Sequence, residues 1–174
     1  MRIISLLFVL ITFNLSSQEI KRVDSEKSFI NYTGKHFLHK WSAENKNISG
    51  LIEIDSESIS NIGIVAKVKD FKSGNSSLDS NSYRVLDALR IPNIVFRSSE
   101  IVDSLDVIKI SGTISFHGIE KDLNVLLDKS TENNTILLAG KFIINLSDFN
   151  VKRPSLLLQK INNEIEIQIN LIFN

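Results

Sequence analysis

The last ten residues before the C-terminal Asn174, EIEIQINLIF, alternate between polar and apolar side chains. The apolar positions are Ile165, Ile167, Ile169, Leu171 and Phe173. Successive side chains of a β-strand point to opposite faces of a sheet. The alternation therefore predicts a strand that buries one face and exposes the other.

The same period of two recurs along the chain from about residue 27. Its apolar positions are Ile30 and Tyr32; Ile48, Ile52 and Ile54; Ile62, Ile64, Ala66 and Val68; Ile94 and Phe96; Ile108, Ile110, Ile114 and Phe116; Leu123, Val125 and Leu127; and Ile136, Leu138, Phe142, Ile144 and Leu146. With the final segment, these predict about eight strands. The links between them are short, which favours antiparallel neighbours because parallel pairing needs a long crossover.

About eight antiparallel strands with one apolar face each predict a single all-β domain, either a barrel or a sandwich. The interior of an eight-stranded barrel holds packed side chains or one small ligand. The periodicity does not distinguish a filled core from a cavity.

One segment departs from the strand pattern. Leu78, Val85, Leu86 and Leu89 recur at helical spacing after GNSS, and Pro92 disfavours a helix beyond Ile91. These residues predict a short helix over about 78–90, with Ser77 as its N-cap. In a closed barrel a helix has no place in the wall, so we expect its apolar face to cover one open end.

The N-terminal residues have a composition that differs from that of the strand-forming part of the chain. Arg2 precedes an apolar run that continues through Phe13, and the small polar residues SSQ follow at 16–18. This pattern is typical of a secretory signal peptide, and the run is too short to favour a membrane span. We expect residues 1–17 to be removed and residues 18–174 to form an exported domain.

Composition excludes several classes of function. The chain has no cysteine, which rules out disulfides and thiolate metal sites. Its 20 Lys and Arg balance its 20 Asp and Glu, with no long basic run, so we expect no nucleic-acid partner. No glycine-flanked nucleophilic serine or phosphate-binding glycine loop is found, and we expect a protein that is not an enzyme.

Four segments together resemble one known family. They are GKHFLHKW at 34–41, KSGNSSLDSNSYRVLDALRIPNIVF at 72–96, ISGTISFHGIEKDLNV at 110–125 and FIINLSDFNVKRP at 142–154. In order and spacing they resemble the YceI-like proteins across nearly the whole of residues 18–174. The chain departs from that pattern at Lys35, His36 and Phe37, and at Asp122.

The resemblance implies a lipocalin-like antiparallel barrel that holds a polyisoprenoid or similar amphiphilic lipid. It also implies that the exported protein is periplasmic, with an extracellular location as the alternative. We therefore expect a lipid partner such as an isoprenoid quinone or prenyl lipid, no other cofactor, and no membrane span after signal cleavage. The oligomeric state stays open, with a dimer among the options. The alternative function is a structural or interaction barrel with a filled core.

Twelve residues are predicted to contact the ligand. The expected lining is Ile30, Tyr32, Ile64, Val68, Phe96, Ile114, Phe116 and Phe142, with Leu86 and Leu89 from the helix and His39 and Trp41 at the rim. For His39 and Trp41 the alternative is structural, with the indole plugging the barrel end. The three histidines His36, His39 and His117 suit zinc chemically, but nothing in the sequence brings them together, so we predict no metal site. A histidine-dependent enzyme is the third hypothesis, and it makes His39 the residue to replace.

Overall fold

A computed structural model describes residues 18–156 and 158–174. The expected signal peptide, residues 1–17, lies outside the described residues. The strands are β1 (Glu19–Arg22), β2 (Phe29–Lys35), β3 (Lys40–Asn45), β4 (Ile48–Asp55), β5 (Ser58–Lys67), β6 (Asn93–Asp103), β7 (Val107–Phe116), β8 (Ile119–Glu132), β9 (Thr135–Asn145), β10 (Ser155–Leu156), β11 (Gln159–Lys160) and β12 (Glu164–Phe173). One α-helix, α1 (Ser76–Val85), and two short 3₁₀ turns, Val68–Asp70 and Leu146–Phe149, complete the described secondary structure.

Ten strands form one curled antiparallel sheet in the order β1-β4-β5-β6-β7-β8-β9-β12-β2-β3, and β10 pairs with β11 in a separate small hairpin. The predicted all-β antiparallel architecture is confirmed, with two more strands in the main sheet than expected. The two extra strands are β1 and β3. Both lack an apolar alternation, since Lys21 and Asn45 occupy buried positions on them.

Both edges of the curled sheet are tied to other parts of the chain. Beside β1, the backbones of Arg22 and Asn174 exchange two hydrogen bonds of 3.0 Å. Beside β3, the backbone of Glu44 pairs with that of Lys72. The exposed backbone groups of the sheet edges are thereby partly satisfied, and the sheet wraps around a common apolar interior.

The final strand shows how the sequence builds that interior. On β12 the side chains of Ile165, Ile169, Leu171 and Phe173 are buried, with Phe173 at 0% exposure. Apolar side chains on the inward faces of β4, β5, β7, β8 and β9 pack with those of β12 in one continuous cluster. The period-two prediction is confirmed on these strands.

The helix is shorter than predicted and begins at a different cap. Asn75, not Ser77, is the N-cap, and its side chain accepts hydrogen bonds from the backbone N–H groups of Ser77 (3.0 Å) and Leu78 (3.1 Å). The helix ends at Val85 rather than near residue 90. Asp87 adopts a left-handed conformation, φ 51°, which reverses the chain direction there. No described helix has the length and apolar character needed to span a membrane.

Candidate functional site

The curled sheet encloses a cavity of about 440 Å³. It is lined by the inward faces of the main sheet and by one face of α1. Its volume falls in the range of roughly 300–1,000 Å³ typical of small-molecule sites. Within the part of the chain that the structure describes, no Asp, Glu, Lys or Arg side chain lines it. A cavity of this size without acidic or basic side chains in its lining suits an apolar ligand.

Eleven of the twelve residues predicted from the sequence lie around this cavity. They are Ile30, Tyr32, His39, Trp41, Ile64, Val68, Leu86, Phe96, Ile114, Phe116 and Phe142. The filled-core alternative predicts side chains that meet across the centre, and the cavity contradicts it.

Leu89 does not line the cavity, and its predicted placement is wrong. Its side chain is 82% exposed. The error comes from the helix boundary, because the reversal at Asp87 ends the helical spacing on which Leu89 was assigned to the inner face.

Polar side chains that line the cavity gather at one end of it. They come from the end of β2, the β2–β3 loop, the start of β3, α1 and β10: Tyr32, His36, His39, Trp41, Asn81, Ser82, Tyr83 and Ser155. The rest of the lining is apolar, from residues such as Ile110, Leu138 and Leu171 deep in the sheet. The cavity therefore has a polar end beside α1 and an apolar interior.

Tyr32 contributes a hydroxyl group to this polar end of the cavity. Its Oη lies 3.5 Å from Ser82 Oγ on α1, and its ring centroid lies 5.6 Å from that of Phe71. Burial raises the pKa of the Tyr32 phenol, and the Ser82 hydrogen bond opposes this only in part. Tyr32 is therefore a neutral hydroxyl at physiological pH, able to donate or accept a hydrogen bond.

Trp41 owes its position to a glycine on the neighbouring strand. Gly34 on β2 is the direct partner of Trp41 on β3. A Cβ atom placed at Gly34 would lie 2.2 Å from Trp41 Cζ2 and 2.5 Å from Trp41 Cε2. Only glycine leaves room for the indole there, so Gly34 and Trp41 form one structural unit at the rim.

His36 is a cavity residue that the sequence reading did not include. Its side chain is only 6% exposed, and Nε2 lies 3.2 Å from the backbone oxygen of Gln159. Because a carbonyl only accepts, Nε2 carries the proton of this bond, while buried Nδ1 has no partner among the described residues. The bond ties the β2–β3 loop to the β10–β11 hairpin. Nothing in one sequence signals a contact across 123 residues.

The described histidines do not assemble into a metal centre. The ring centroids of His36 and His39 lie 5.8 Å apart, while His117 sits on another turn with Nδ1 2.9 Å from the Phe149 oxygen. Over residues 18–156 and 158–174, no group of three or more His, Cys, Asp or Glu is arranged to hold a metal ion.

Comparisons with known proteins agree with this architecture. A family model described as YceI-like domain matches residues 22–173. A structure of Burkholderia cenocepacia BcnA is similar with a TM-score of 0.78 at 20% identity, covering 86% of this chain and 98% of that one. A polyisoprenoid binding domain from Saccharophagus degradans, implicated in plant cell wall breakdown, gives a TM-score of 0.72 at 12% identity, over 88% and 97% of the two chains.

A third similar structure is the YCEI protein of Campylobacter jejuni, with a TM-score of 0.58 at 15% identity over 97% of this chain and 92% of that one. Comparison with curated protein sequences found no match. At these identities the structural likeness shows the fold alone, a lipocalin-like curled antiparallel sheet with one short helix.

Proposed function

Because the chain belongs to the YceI-like family, we propose that it binds a polyisoprenoid or a similar amphiphilic lipid in its interior cavity. The observation that carries this proposal is the cavity of about 440 Å³ without an Asp, Glu, Lys or Arg side chain in its described lining. The name of the Saccharophagus domain supports it, since that relative is described as polyisoprenoid binding.

The energetics of the cavity favour a hydrocarbon chain. Each CH₂ group moved from water into an apolar site gains roughly 0.8 kcal/mol, or about 4 kcal/mol for a five-carbon isoprene unit. Residues that supply this apolar environment include Ile64, Ile114 and Phe142. Binding of the chain therefore needs no strong polar anchor, and a modest head group suffices to orient it.

The polar end of the cavity is the proposed place for the head group. The Tyr32 hydroxyl, the Ser82 hydroxyl and the His39 imidazole all line it. A quinone carbonyl or a prenyl alcohol would accept from, or donate to, these groups without introducing a charge. The ligand class is thus an isoprenoid quinone or prenyl lipid, held reversibly, and the site needs no further cofactor.

The proposal places binding outside the cytoplasm. Residues 1–17 have the composition of a signal peptide, and the proposed mature protein begins near Gln18 in the periplasm. The role is sequestration or carriage of the lipid rather than catalysis.

Quenching of tryptophan fluorescence tests this function, because Trp41 is the only tryptophan of the chain and lines the cavity. A short-chain ubiquinone is titrated against the protein, and geranylgeraniol is then added as a competitor without quenching ability. We expect saturable quenching that the alcohol reverses.

A matched pair of variants locates the binding. Ile64→Phe with Val125→Phe directs two rings into the cavity, since both residues line it. The control, Val65→Phe with Leu126→Phe, places the same rings one residue along each strand, where the side chains face outward. We expect binding to fall at least roughly tenfold, about 1.4 kcal/mol, in the first variant only. Equal binding by both folded variants would refute the proposal.

A further inference from the structure

Two loops next to the polar end of the cavity form one surface, which we call the tip and define by the described residues 35–40, 152–156 and 158–160. The His36 Nε2 atom donates to the Gln159 backbone oxygen over 3.2 Å. The backbone N–H of Asn162 donates to the Lys35 oxygen over 2.9 Å. These two bonds hold the β2–β3 loop and the β10–β11 hairpin side by side.

The tip exposes large apolar side chains that no described residue covers. Phe37 is 58% exposed, Leu38 is 55% exposed and Leu158 is 101% exposed. Two sit at consecutive positions of one loop and the third lies in the turn of the adjoining hairpin. Such a cluster at the end of paired loops marks a contact surface.

The charge on the tip has one sign. Five basic residues belong to it: Lys35, Lys40, Lys152, Arg153 and Lys160. No Asp or Glu occurs over residues 34–43 or 149–163, although the whole chain balances 20 bases with 20 acids. None of the five takes part in a salt bridge with a described residue. The tip therefore carries a local positive charge that no described acidic residue neutralises through a salt bridge.

We propose that the tip docks onto the surface of an anionic lipid bilayer. Exposed Phe37, Leu38 and Leu158 would enter the boundary between head groups and acyl chains, while the five basic side chains meet anionic head groups. The apolar side chains suit the acyl-chain boundary of the bilayer, and the basic side chains around them suit its anionic head groups.

Area argues for a bilayer rather than a folded protein partner. A specific protein interface buries at least roughly 1,000 Å² with a complementary surface, whereas three side chains on two narrow loops provide little area. Protruding side chains enter a fluid interface without a complementary shape. Charge complementarity to anionic lipid then supplies the attraction that three apolar side chains alone do not.

Docking at the tip would present the polar end of the cavity to the membrane. His36 and His39 belong to the tip and also line the cavity. A ligand leaving the bilayer would pass from the docked surface into the interior beside these residues. The docking rests on the exposed loops and their charge, so it stands whether or not the cavity ligand is an isoprenoid.

Vesicle flotation of residues 18–174 tests the docking. All strands lie between Glu19 and Phe173, so this chain contains the whole described sheet, and it lacks the apolar N-terminal run that would bind lipid by itself. The probes are vesicles of phosphatidylcholine alone and of phosphatidylcholine with an equal amount of phosphatidylglycerol. We expect flotation with the anionic vesicles, loss of it at high salt, and little with the neutral ones.

Matched variants separate apolar from charged contributions. An apolar variant combines Phe37→Ser, Leu38→Ser and Leu158→Ser, and it should weaken partitioning onto anionic vesicles at least roughly tenfold. A charge variant combines Lys35→Glu and Lys40→Glu, and it should weaken the same partitioning roughly fivefold or more for each lysine replaced. The controls make matched changes elsewhere: Leu105→Ser with Leu126→Ser and Ile143→Ser, at 86%, 65% and 58% exposure, and Arg22→Glu with Lys109→Glu. Both control variants should float as the unmodified chain does.

Three results would overturn the docking proposal. They are an unmodified chain that fails to float with anionic vesicles, tip variants that float equally well, and control variants that lose as much. A tip variant that only converts a dimer to a monomer in sedimentation, with vesicle binding unchanged, would assign the surface to a second copy and overturn it too. Quinone quenching of Trp41 in solution should survive Leu158→Ser, which separates failure of docking from failure of the cavity proposal.

Discussion

Replacing Gly34 by alanine should displace the only tryptophan of the chain from the rim of the cavity. The added Cβ would lie 2.2 Å from Trp41 Cζ2, 2.5 Å from Cε2 and 2.8 Å from Cη2. Carbon atoms in contact normally lie about 3.5–4.0 Å apart. The indole must therefore move by more than about 1 Å, because the Cβ position is fixed by the backbone of β2.

The expected cost follows from this geometry and from a matched control. Overpacking of a well-packed site typically costs about 1–3 kcal/mol. Replacing glycine by alanine also stabilises the folded state by roughly 0.4–1 kcal/mol, because alanine lowers the conformational entropy of the unfolded chain. Gly63→Ala shares that gain but not the clash, since a Cβ at Gly63 on β5 meets nothing within 4 Å. The difference between the two variants should therefore be about 1–3 kcal/mol.

Urea unfolding monitored by the emission of Trp41 measures this difference. Gly34→Ala should unfold at lower urea concentration than the unmodified chain and show a red-shifted native spectrum, as the indole moves toward water. Gly63→Ala should be neutral or slightly more stable, with an unchanged spectrum. Equal stabilities and spectra for the two variants would refute the claim that Gly34 holds the indole in place.

Three other predictions concern the charges and polar groups of the fold. Asp103→Asn should lower the free energy of unfolding by about 3 kcal/mol in urea, because it leaves the largely but not fully buried Lys129 ammonium without its counter-ion; a loss below about 1 kcal/mol would contradict this. Tyr32 has a raised pKa in the folded state, so its contribution to stability is complete below about pH 10 and is lost as pH rises toward the folded value. Tyr32→Phe should therefore show a smaller alkaline loss of stability in thermal melts, and identical pH profiles would count against it. His36→Phe removes the hydrogen bond to Gln159 and should speed amide exchange in the β10–β11 hairpin, while unchanged exchange would mean that the bond does not hold the two loops.

The strand pattern was predictable because it depends on local alternation. On β12 every second side chain from Ile165 to Phe173 is buried or, at Ile167, partly buried, as the sequence EIEIQINLIF indicates. The two strands that the pattern missed carry polar residues at buried positions. Lys21 on β1 pairs with Glu19 over 2.8 Å, and Asn45 on β3 donates to the Lys67 oxygen over 3.2 Å. Alternation of apolar residues does not detect buried positions that are occupied by polar side chains, whether the partner is on the same strand, as Glu19 is, or on another one, as Lys67 is.

For the candidate site, the sequence predicts only which strand side chains point toward the interior. Residues such as Ile64 and Phe116 follow directly from strand parity, and they line the cavity. Leu89 was misplaced because the left-handed conformation of Asp87 ends the helix early. His36 was missed because its burial depends on a hairpin far along the chain. The existence of the cavity itself depends on how the curled sheet sets its inner faces apart, and alternation carries no information on that spacing.

Native mass spectrometry of residues 1–174, expressed in and purified from a bacterial host, tests whether the cavity holds a lipid. We expect a folded protein that carries one hydrocarbon ligand, seen as a mass excess that organic extraction removes, on a polypeptide that begins near Gln18. A polypeptide without added mass that also fails to take up a short-chain ubiquinone or geranylgeraniol would contradict it.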